Sequence, residues 1–128
     1  MGIKVLIIED EPLVGRMYQK ALKFDGIESE VAVGGNEGIT KASTFAPDLI
    51  LCDIMMPDPD GIEVLETLKK NAETASIPVV MLTNLSGKHD AELALSKGAK
   101  EYWIKKDADL KSLGSRIRKM LGQENAGS

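Results

Sequence analysis

The sequence predicts an α/β domain with a doubly wound, five-stranded parallel sheet. Short, continuous apolar runs alternate along the chain with segments of helical periodicity. Such runs are typical of strands that are buried on both faces, as they are in a parallel sheet. Strands that alternate with helices favour right-handed crossovers, with helices covering both faces of the sheet. The 128 residues are the length of one ordinary domain.

Five apolar runs predict the strands. Their positions are 5–8, 30–33, 49–52, 79–82 and 102–104. The run at 30–33 is the weakest, because it contains Glu30 and only short stretches of apolar residues. Cys52 and Trp103 fall within two of the other runs, and we interpret both as packing residues, the cysteine as a small buried hydrophobe.

The first helix is predicted from Pro12 and from an apolar stripe. Proline suits a first helical position because its missing N–H would be unpaired there anyway. The stripe behind it recurs at helical spacing and consists of Leu13, Val14, Met17, Tyr18, Ala21 and Leu22. A stripe of this kind is typical of a helix that packs against a core.

Three further helices lie between the later strands. One begins at Asp60, which forms a capping-box pattern with Glu63 three residues later. Residues 36–45 and 88–97 are helical by their position and composition, although their apolar stripes are poorer. With the first and last helices, these three segments complete five strand–helix units.

The last helix follows two candidate cap residues, Asp107 and Asp109. Its apolar stripe consists of Leu110, Leu113, Ile117, Met120 and Leu121. Residues 122–128 lack apolar anchors, and we expect them to form a flexible C-terminal tail behind a domain that spans residues 1–121.

The composition argues against several functional classes. Lys and Arg number 16 against 20 Asp and Glu, which gives a net charge of −4 and argues against direct binding to nucleic acid. A single cysteine cannot form an internal disulfide, and no Cys/His cluster has zinc-binding spacing. No apolar stretch approaches the roughly 18 residues of a membrane span, and the N-terminus does not resemble a signal peptide. We therefore expect a cytoplasmic protein without membrane association.

Polar side chains stand at the ends of four of the predicted strands. Glu9 and Asp10 follow the first strand, Asp53 the third, Thr83 the fourth and Lys105 the fifth. Ligands of open parallel sheets bind at the carboxyl edge of the strands. We therefore expect these five side chains to project toward one edge of one sheet, where they would form a single site.

This combination of groups predicts chemistry on phosphoryl groups. Three neighbouring carboxylates repel one another and raise one another's pKa, and a bound divalent cation removes that cost. Carboxylate ligands with retained water suit Mg²⁺, while a lysine and a hydroxyl bind phosphoryl oxygens. Singly, each residue has an ordinary interpretation, such as a helix-start acid or a solvated lysine. Together they predict a site that moves a phosphoryl group onto an aspartate.

The chain resembles the receiver domains of two-component response regulators. The resemblance covers roughly residues 3–121, and its most specific part is the segment that contains Asp53. The matching segments are 7–12 (IIEDEP), 47–57 (PDLILCDIMMP) with 60–61 (DG), 78–83 (PVVMLT), and 98–99 (GA) with 102–105 (YWIK). The resemblance implies a flavodoxin-like fold with the strand order 2-1-3-4-5.

The resemblance also implies a role for each acidic residue. Asp53 would accept the phosphoryl group. Asp10 and Asp53 would bind Mg²⁺ directly, with the backbone carbonyl of Met55 as a third protein ligand, and Glu9 would act through a water molecule. The protein would accelerate its own phosphorylation and dephosphorylation without being a turnover enzyme.

A second group of residues would sense the phosphoryl group. The resemblance implies that Lys105 pairs with it and that Thr83 bonds to it, which leaves room for Tyr102 to rotate inward. Asn84 and Pro57 are expected beside these groups. The change would alter the face formed by the fourth helix, fifth strand and fifth helix, where an unidentified protein partner would bind.

The implied donor is a sensor histidine kinase, a phosphotransfer protein or a small acyl phosphate. Specificity for the kinase is expected on the first helix. The sequence does not distinguish a stand-alone regulator from a receiver that belongs to a larger DNA-binding regulator. The output therefore stays open.

Four positions depart from the usual receiver pattern. Lys106 replaces the usual proline after the lysine, and Asn84 is larger and polar where the residue after Thr83 is often small. Met55 and Leu85 are apolar where the family commonly tunes the phosphoryl lifetime. We hypothesise that the last two slow dephosphorylation. Met55 also argues against a hydrolase of the haloacid dehalogenase type, which needs a second aspartate there. A pure interaction module without phosphorylation is the remaining alternative, although such domains generally lose the acids or the lysine.

Overall fold

The computed structural model describes residues 2–84, 88–105 and 110–122, apart from the side chain of Lys88. Within these residues the chain alternates strands and helices in the predicted order. Several residues named above lie outside the described part, namely Leu85, Lys106, Asp107, Asp109 and residues 123–128 of the expected tail.

The five strands form one parallel sheet in the order β2-β1-β3-β4-β5. Their bounds are β1 Lys4–Ile8, β2 Glu28–Ala32, β3 Leu49–Cys52, β4 Val79–Thr83 and β5 Glu101–Ile104. The predicted fold class and strand order are both confirmed. Since β1 and β3 are central neighbours, the residues that follow them lie side by side at the carboxyl edge.

In the part of the chain that the structure describes, five α-helices connect and cover the strands. Their bounds are α1 Pro12–Phe24, α2 Gly35–Thr44, α3 Gly61–Lys70, α4 Lys88–Ser96 and α5 Leu113–Met120. Pro12 is the first residue of α1, as predicted. Leu110 belongs to a short 3-10 helix, Leu110–Ser112, that precedes α5.

The core divides into two clusters on opposite faces of the sheet. Alternate residues of a strand point to opposite sides, so Leu6 and Ile8 pack on the α2–α3–α4 side while Val5 and Ile7 pack on the α1–α5 side. Cys52 belongs to the first cluster and Trp103 to the second, and both are buried. Their interpretation as packing residues is confirmed.

The second strand begins and ends earlier than its apolar run suggests. It spans Glu28–Ala32, and Val33 lies beyond it and is half exposed. β2 is an edge strand whose first residues are exposed or only partly buried. An edge strand needs charged residues that discourage further pairing, and they obscure the apolar signal.

Two residues of the predicted α1 stripe do not face the core. Leu13 and Met17 are 71% and 53% exposed. The buried residues of the helix are Gly15, Tyr18 and Leu22. An added Cβ at Gly15 would lie 2.7 Å from a Val31 methyl group, so the glycine lets the helix approach the sheet closely. The true packing face is therefore rotated away from Leu13 and Met17.

Candidate functional site

The carboxyl edge of the central strands carries two buried acids. The Glu9 N–H donates to the Ala32 carbonyl at 3.0 Å and the Asp53 N–H donates to the Ile8 carbonyl at 3.0 Å, so both residues continue the sheet beyond their strands. Glu9 is 1% exposed and Asp53 is 6% exposed. Burial of this kind is costly for charged groups unless they are paired or bind a cation.

A third acid completes a candidate cation site. One carboxylate oxygen from each of Glu9, Asp10 and Asp53 lies within 4.8 Å of the others. Such a set of oxygen ligands suits a hard divalent cation. The structure therefore brings together all three carboxylates that follow β1 and β3.

Lys105 reaches this acidic cluster from the end of the edge strand β5. Its Nζ donates to Glu9 Oε1 at 2.8 Å and to Asp53 Oδ2 at 3.3 Å, with only 11% of the side chain exposed. The lysine follows β5, two strands away from β3, and its long side chain spans that distance. An ammonium group in this position faces any group attached to the Asp53 carboxylate.

The electrostatics of the cluster reflect its burial. Desolvation is the main cause that raises the pKa of Glu9, and the charge of Asp53 adds to it, whereas the hydrogen bond and the charge of Lys105 lower it. The net result is a pKa of about 7. Burial alone would lower the pKa of Lys105, but the hydrogen bond to Glu9 and the charge of Asp53 outweigh it and raise this pKa. The carboxylates thus hold the lysine charged.

The loop after β3 is fixed around Asp53. The Met55 N–H donates to Asp53 Oδ1 at 3.1 Å, and the Gly61 N–H donates to the Ile54 carbonyl at 3.0 Å. Asp60 and Glu63 form the predicted capping box at the start of α3, with both hydrogen bonds at 2.9 Å. The start of α3 therefore anchors the loop that orients the Asp53 side chain.

The remaining predicted residues surround this cluster at varying depth. Thr83 is fully buried and is the last residue of β4 rather than the residue after it. Tyr102 is partly buried and packs against the core on the α2–α3–α4 side. Asn84, Pro57 and Met55 are exposed. The Met55 side chain is 60% exposed, so it does not close the cluster off from solvent.

Tyr18 lies near the cluster and was not predicted there from the sequence. The apolar stripe predicts it only as part of the packing face of α1. In the structure it is 7% exposed, and the charges of Lys105, Glu9 and Asp53 all influence the pKa of its hydroxyl. A pattern of helical spacing carries no signal that distinguishes such a residue from an ordinary core residue.

The fold and the cluster together define a class of protein. A parallel sheet in the order 2-1-3-4-5, with acids after its first and third strands and a lysine after its fifth, is the architecture of a receiver domain. The chain belongs to the response regulator receiver domain family, whose sequence model matches residues 5–118.

Curated relatives give the same result. The chain is 35% identical over 118 residues to the DNA-binding dual master transcriptional regulator RpaA of Synechocystis, with 92% of this chain and 48% of that protein covered. It is 35% identical over 122 residues to the KDP operon transcriptional regulatory protein KdpE of Escherichia coli, with 95% and 52% covered. The chain thus spans about half the length of these relatives, both of which are transcriptional regulators by name.

Solved structures agree with the fold. A CheY-like response regulator receiver domain protein from Methanospirillum hungatei superposes with a TM-score of 0.86 at 26% identity, with 100% of both chains covered. The BeF3-activated receiver domain of RstA from Klebsiella pneumoniae gives a TM-score of 0.83 at 30% identity, covering 92% of this chain and 97% of that one.

Among the described residues, none of the helices is long and apolar enough to cross a membrane.

Proposed function

We propose that Asp53 accepts a phosphoryl group and that the chain thereby serves as the switch of a phosphorelay. The observation that carries this proposal is the contact of Lys105 Nζ with Asp53 Oδ2 at 3.3 Å inside a cluster of three carboxylates. The donor is a phosphohistidine of a sensor histidine kinase or phosphotransfer protein, or a small acyl phosphate. These are the donors expected from the receiver family to which the chain belongs.

The acidic cluster fits Mg²⁺. Its three carboxylates lie within 4.8 Å of one another and two of them are buried, a combination that favours a bound cation. Asp10 and Asp53 would hold the ion directly with the Met55 carbonyl, and Glu9 would act through water. When bound, the ion neutralises negative charge on the transferring phosphoryl group.

The residues of the chain contribute mainly by position and charge. An Asp53 carboxylate oxygen forms the new bond to phosphorus while the bond to the donor breaks, and the leaving group departs with its electron pair. Lys105 faces Asp53 and offsets the charge on the phosphoryl oxygens, and the Thr83 hydroxyl donates to one of them. Such transfers pass through a loose transition state, for which positioning and charge stabilisation supply most of the catalysis.

Phosphorylation would change the surface at the β5 edge of the sheet. Thr83 and Tyr102 lie on neighbouring strands, two positions apart in register, because Thr83 pairs with Ile104 and Met81 with Tyr102. Residues two positions apart face the same side of the sheet. A Thr83 side chain drawn toward the phosphoryl group would give the Tyr102 ring room to rotate inward. The face formed by α4, β5 and α5 would then bind its protein partner differently.

Donor docking is proposed on α1. Leu13 and Met17 are largely exposed on this helix, and they lie one turn apart beside the basic residues Arg16 and Lys20. Exposed apolar side chains rimmed by charged residues are a feature of surfaces that bind another protein. Since α1 begins three residues after Glu9, a partner helix bound there would lie next to the acidic cluster.

Labelling with acetyl phosphate and Mg²⁺, followed by intact mass measurement, tests the proposed acceptor. We expect one added phosphoryl group on the wild type and none on Asp53→Asn. Asp48→Asn is the matched control, since Asp48 precedes the same strand at its opposite end. Unchanged labelling of Asp53→Asn would refute the assignment.

The expected cytoplasmic location stays a prediction that fractionation of cells expressing the tagged chain would test.

Met55 is proposed to slow the loss of the phosphoryl group. Its side chain is 60% exposed and lies two residues beyond Asp53, where it can hinder an attacking water molecule. We expect Met55→Asn to accelerate dephosphorylation several-fold when the phosphorylated protein is followed by mass after removal of the donor. An unchanged lifetime would contradict this role. The companion position Leu85 lies outside the described residues.

A further inference from the structure

A buried tyrosine lies on the α1 side of the acidic cluster. The buried residues of α1 are Gly15, Tyr18 and Leu22. Because α1 begins next to the acids that follow β1, and because Gly15 has no side chain, Tyr18 is the first large buried side chain counted from the carboxyl edge. Among the large buried side chains of α1, the one closest to the start of the helix is thus an aromatic ring with a hydroxyl group.

Tyr18 shares a face of the sheet with the charged groups. It packs in the core cluster on the α1–α5 side. The sheet residues of that cluster that stand two positions before the buried acids are Ile7 and Leu51. Residues two apart in an extended chain point to the same side, so Glu9 and Asp53, which continue the sheet, extend these two rows toward the carboxyl edge. The Lys105 Nζ lies with them, since it donates to Glu9 at 2.8 Å and to Asp53 at 3.3 Å. The tyrosine and the ion cluster therefore lie on the same side.

The electrostatics support this proximity. Burial raises the pKa of the Tyr18 hydroxyl, the charge of Lys105 lowers it, and the charges of Glu9 and Asp53 raise it. Tyr18 in turn contributes to the raised pKa of Lys105. The net effect keeps the hydroxyl neutral near pH 7, so it can both donate and accept a hydrogen bond. A fixed neutral dipole in a poorly solvated site acts strongly on neighbouring charges.

We propose that Tyr18 is a positioning residue for phosphoryl transfer, whose ring limits the path of the Lys105 side chain and whose hydroxyl orients the ammonium toward Asp53. The inference rests on the proposed function of Asp53. Tyr18 acts through the lysine and does not itself contact the phosphoryl group. Lys105 loses its carboxylate contacts when it turns to a phosphoryl group, and a neighbouring hydroxyl then holds it in place.

Tyr18→Phe tests the proposal because it removes only the hydroxyl. Isothermal titration of the full chain measures the affinity for Mg²⁺ alone and then for beryllofluoride at saturating Mg²⁺. Acetyl phosphate labelling gives the rate of phosphorylation. We expect beryllofluoride affinity and labelling rate to fall about 3- to 10-fold, as for loss of one hydrogen bond near a charge. The Mg²⁺ affinity should stay within about two-fold, since the ion is held by the carboxylates.

Leu22→Val is the matched control. Leu22 is the next buried residue of α1 and is one turn further from the site. Its truncation should lower the melting temperature and leave both affinities unchanged, which separates packing from positioning.

Each outcome decides the proposal. A Tyr18→Phe variant that equals the wild type in both affinities and in labelling overturns it. A variant that loses Mg²⁺ affinity and melting temperature together shows a packing role and also overturns it. If the wild type itself is not labelled, the proposed function fails and this inference fails with it, whereas a labelled wild type with a normal Tyr18→Phe refutes Tyr18 alone.

Discussion

At the scale of single residues, burial decides how each polar group behaves. Glu9, Asp53 and Lys105 are buried together, and the lysine forms ion pairs with both acids. Met55, by contrast, is exposed although it lies only two residues from Asp53. Cys52 is adjacent to Asp53 in sequence but points to the opposite face, into the apolar cluster under α3. Neighbouring residues on one strand therefore serve the site and the core in turn, because alternate side chains face opposite sides.

The thiol of Cys52 is predicted to be inert in the folded protein. Burial raises its pKa, and the negative charges of Asp53 and Glu9 raise it further, so the reactive thiolate is scarce. We expect Ellman's reagent to label native protein at least about 100-fold more slowly than protein unfolded in urea. The chain has one cysteine, so the absorbance reports this position alone. Rapid labelling of the native protein would show that the strand end opens readily.

At the scale of elements, the start of α3 is locked to the acceptor strand. A Cβ added at Gly61 would lie 2.1 Å from the Asp53 carbonyl oxygen and 2.6 Å from the Ile54 Cα. Both are backbone atoms, which cannot swing aside as a flexible side chain would. The capping box of Asp60 and Glu63 fixes the helix in the same place. The helix and the strand end consequently form one unit around the Asp53 side chain.

Gly61→Ala is predicted to damage both stability and labelling. The added methyl group must push the helix from the backbone of Asp53, and overpacking of this kind costs about 1–3 kcal/mol. We expect a lower urea midpoint and at least a several-fold slower reaction with acetyl phosphate under conditions where the variant is folded. Gly2→Ala is the control, since an added Cβ there meets nothing within 4 Å. A Gly61→Ala variant as stable and reactive as the wild type would show that the two backbones separate at little cost.

At the scale of the whole molecule, the sheet accounts for most of what the sequence could predict. Continuous apolar runs such as those at 49–52 and 79–82 mark strands buried on both faces, and parallel pairing carries Asp53 and Thr83 to one edge. The orientation of α1 could not be predicted in this way. Its stripe is apolar on two adjacent faces, and only packing shows that Leu13 is exposed while Tyr18 is buried.

For the site, the sequence likewise predicted where the residues lie in the fold but not how deeply they are buried. The acids and the lysine stand at strand ends, where a topological argument places them, but no pattern in one sequence reports the depth of burial that raises the pKa of Glu9. Desolvation depends on every element packed around the group, including α1 and the loop after β3. Effects of this kind connect the site to the stability of the whole fold.

Magnesium is predicted to stabilise the protein more at pH 8 than at pH 6. In the absence of metal, desolvation raises the pKa of Glu9 from 4.5 to about 7. A carboxyl group whose folded-state pKa is raised contributes stability that is present below its unfolded pKa and is lost as the pH rises through the folded value. The metal-free protein should therefore lose on the order of 2 kcal/mol between pH 4.5 and pH 7 from this group. Bound Mg²⁺ offsets the repulsion among the charged carboxylates, so its effect grows once Glu9 is ionised.

Thermal unfolding followed by the fluorescence of Trp103 measures this effect. The rise in Tm on addition of MgCl₂ should be larger at pH 8 than at pH 6 by several degrees, since about 1 kcal/mol moves Tm by roughly 3–6 °C in a domain of this size. Glu9→Gln cannot titrate at this position and should lose most of the difference between the two pH values, which separates Glu9 from other groups that titrate in the range. An equal Mg²⁺-induced rise at both pH values in the wild type would show that Glu9 is already ionised in the metal-free fold, held so by its 2.8 Å contact with Lys105.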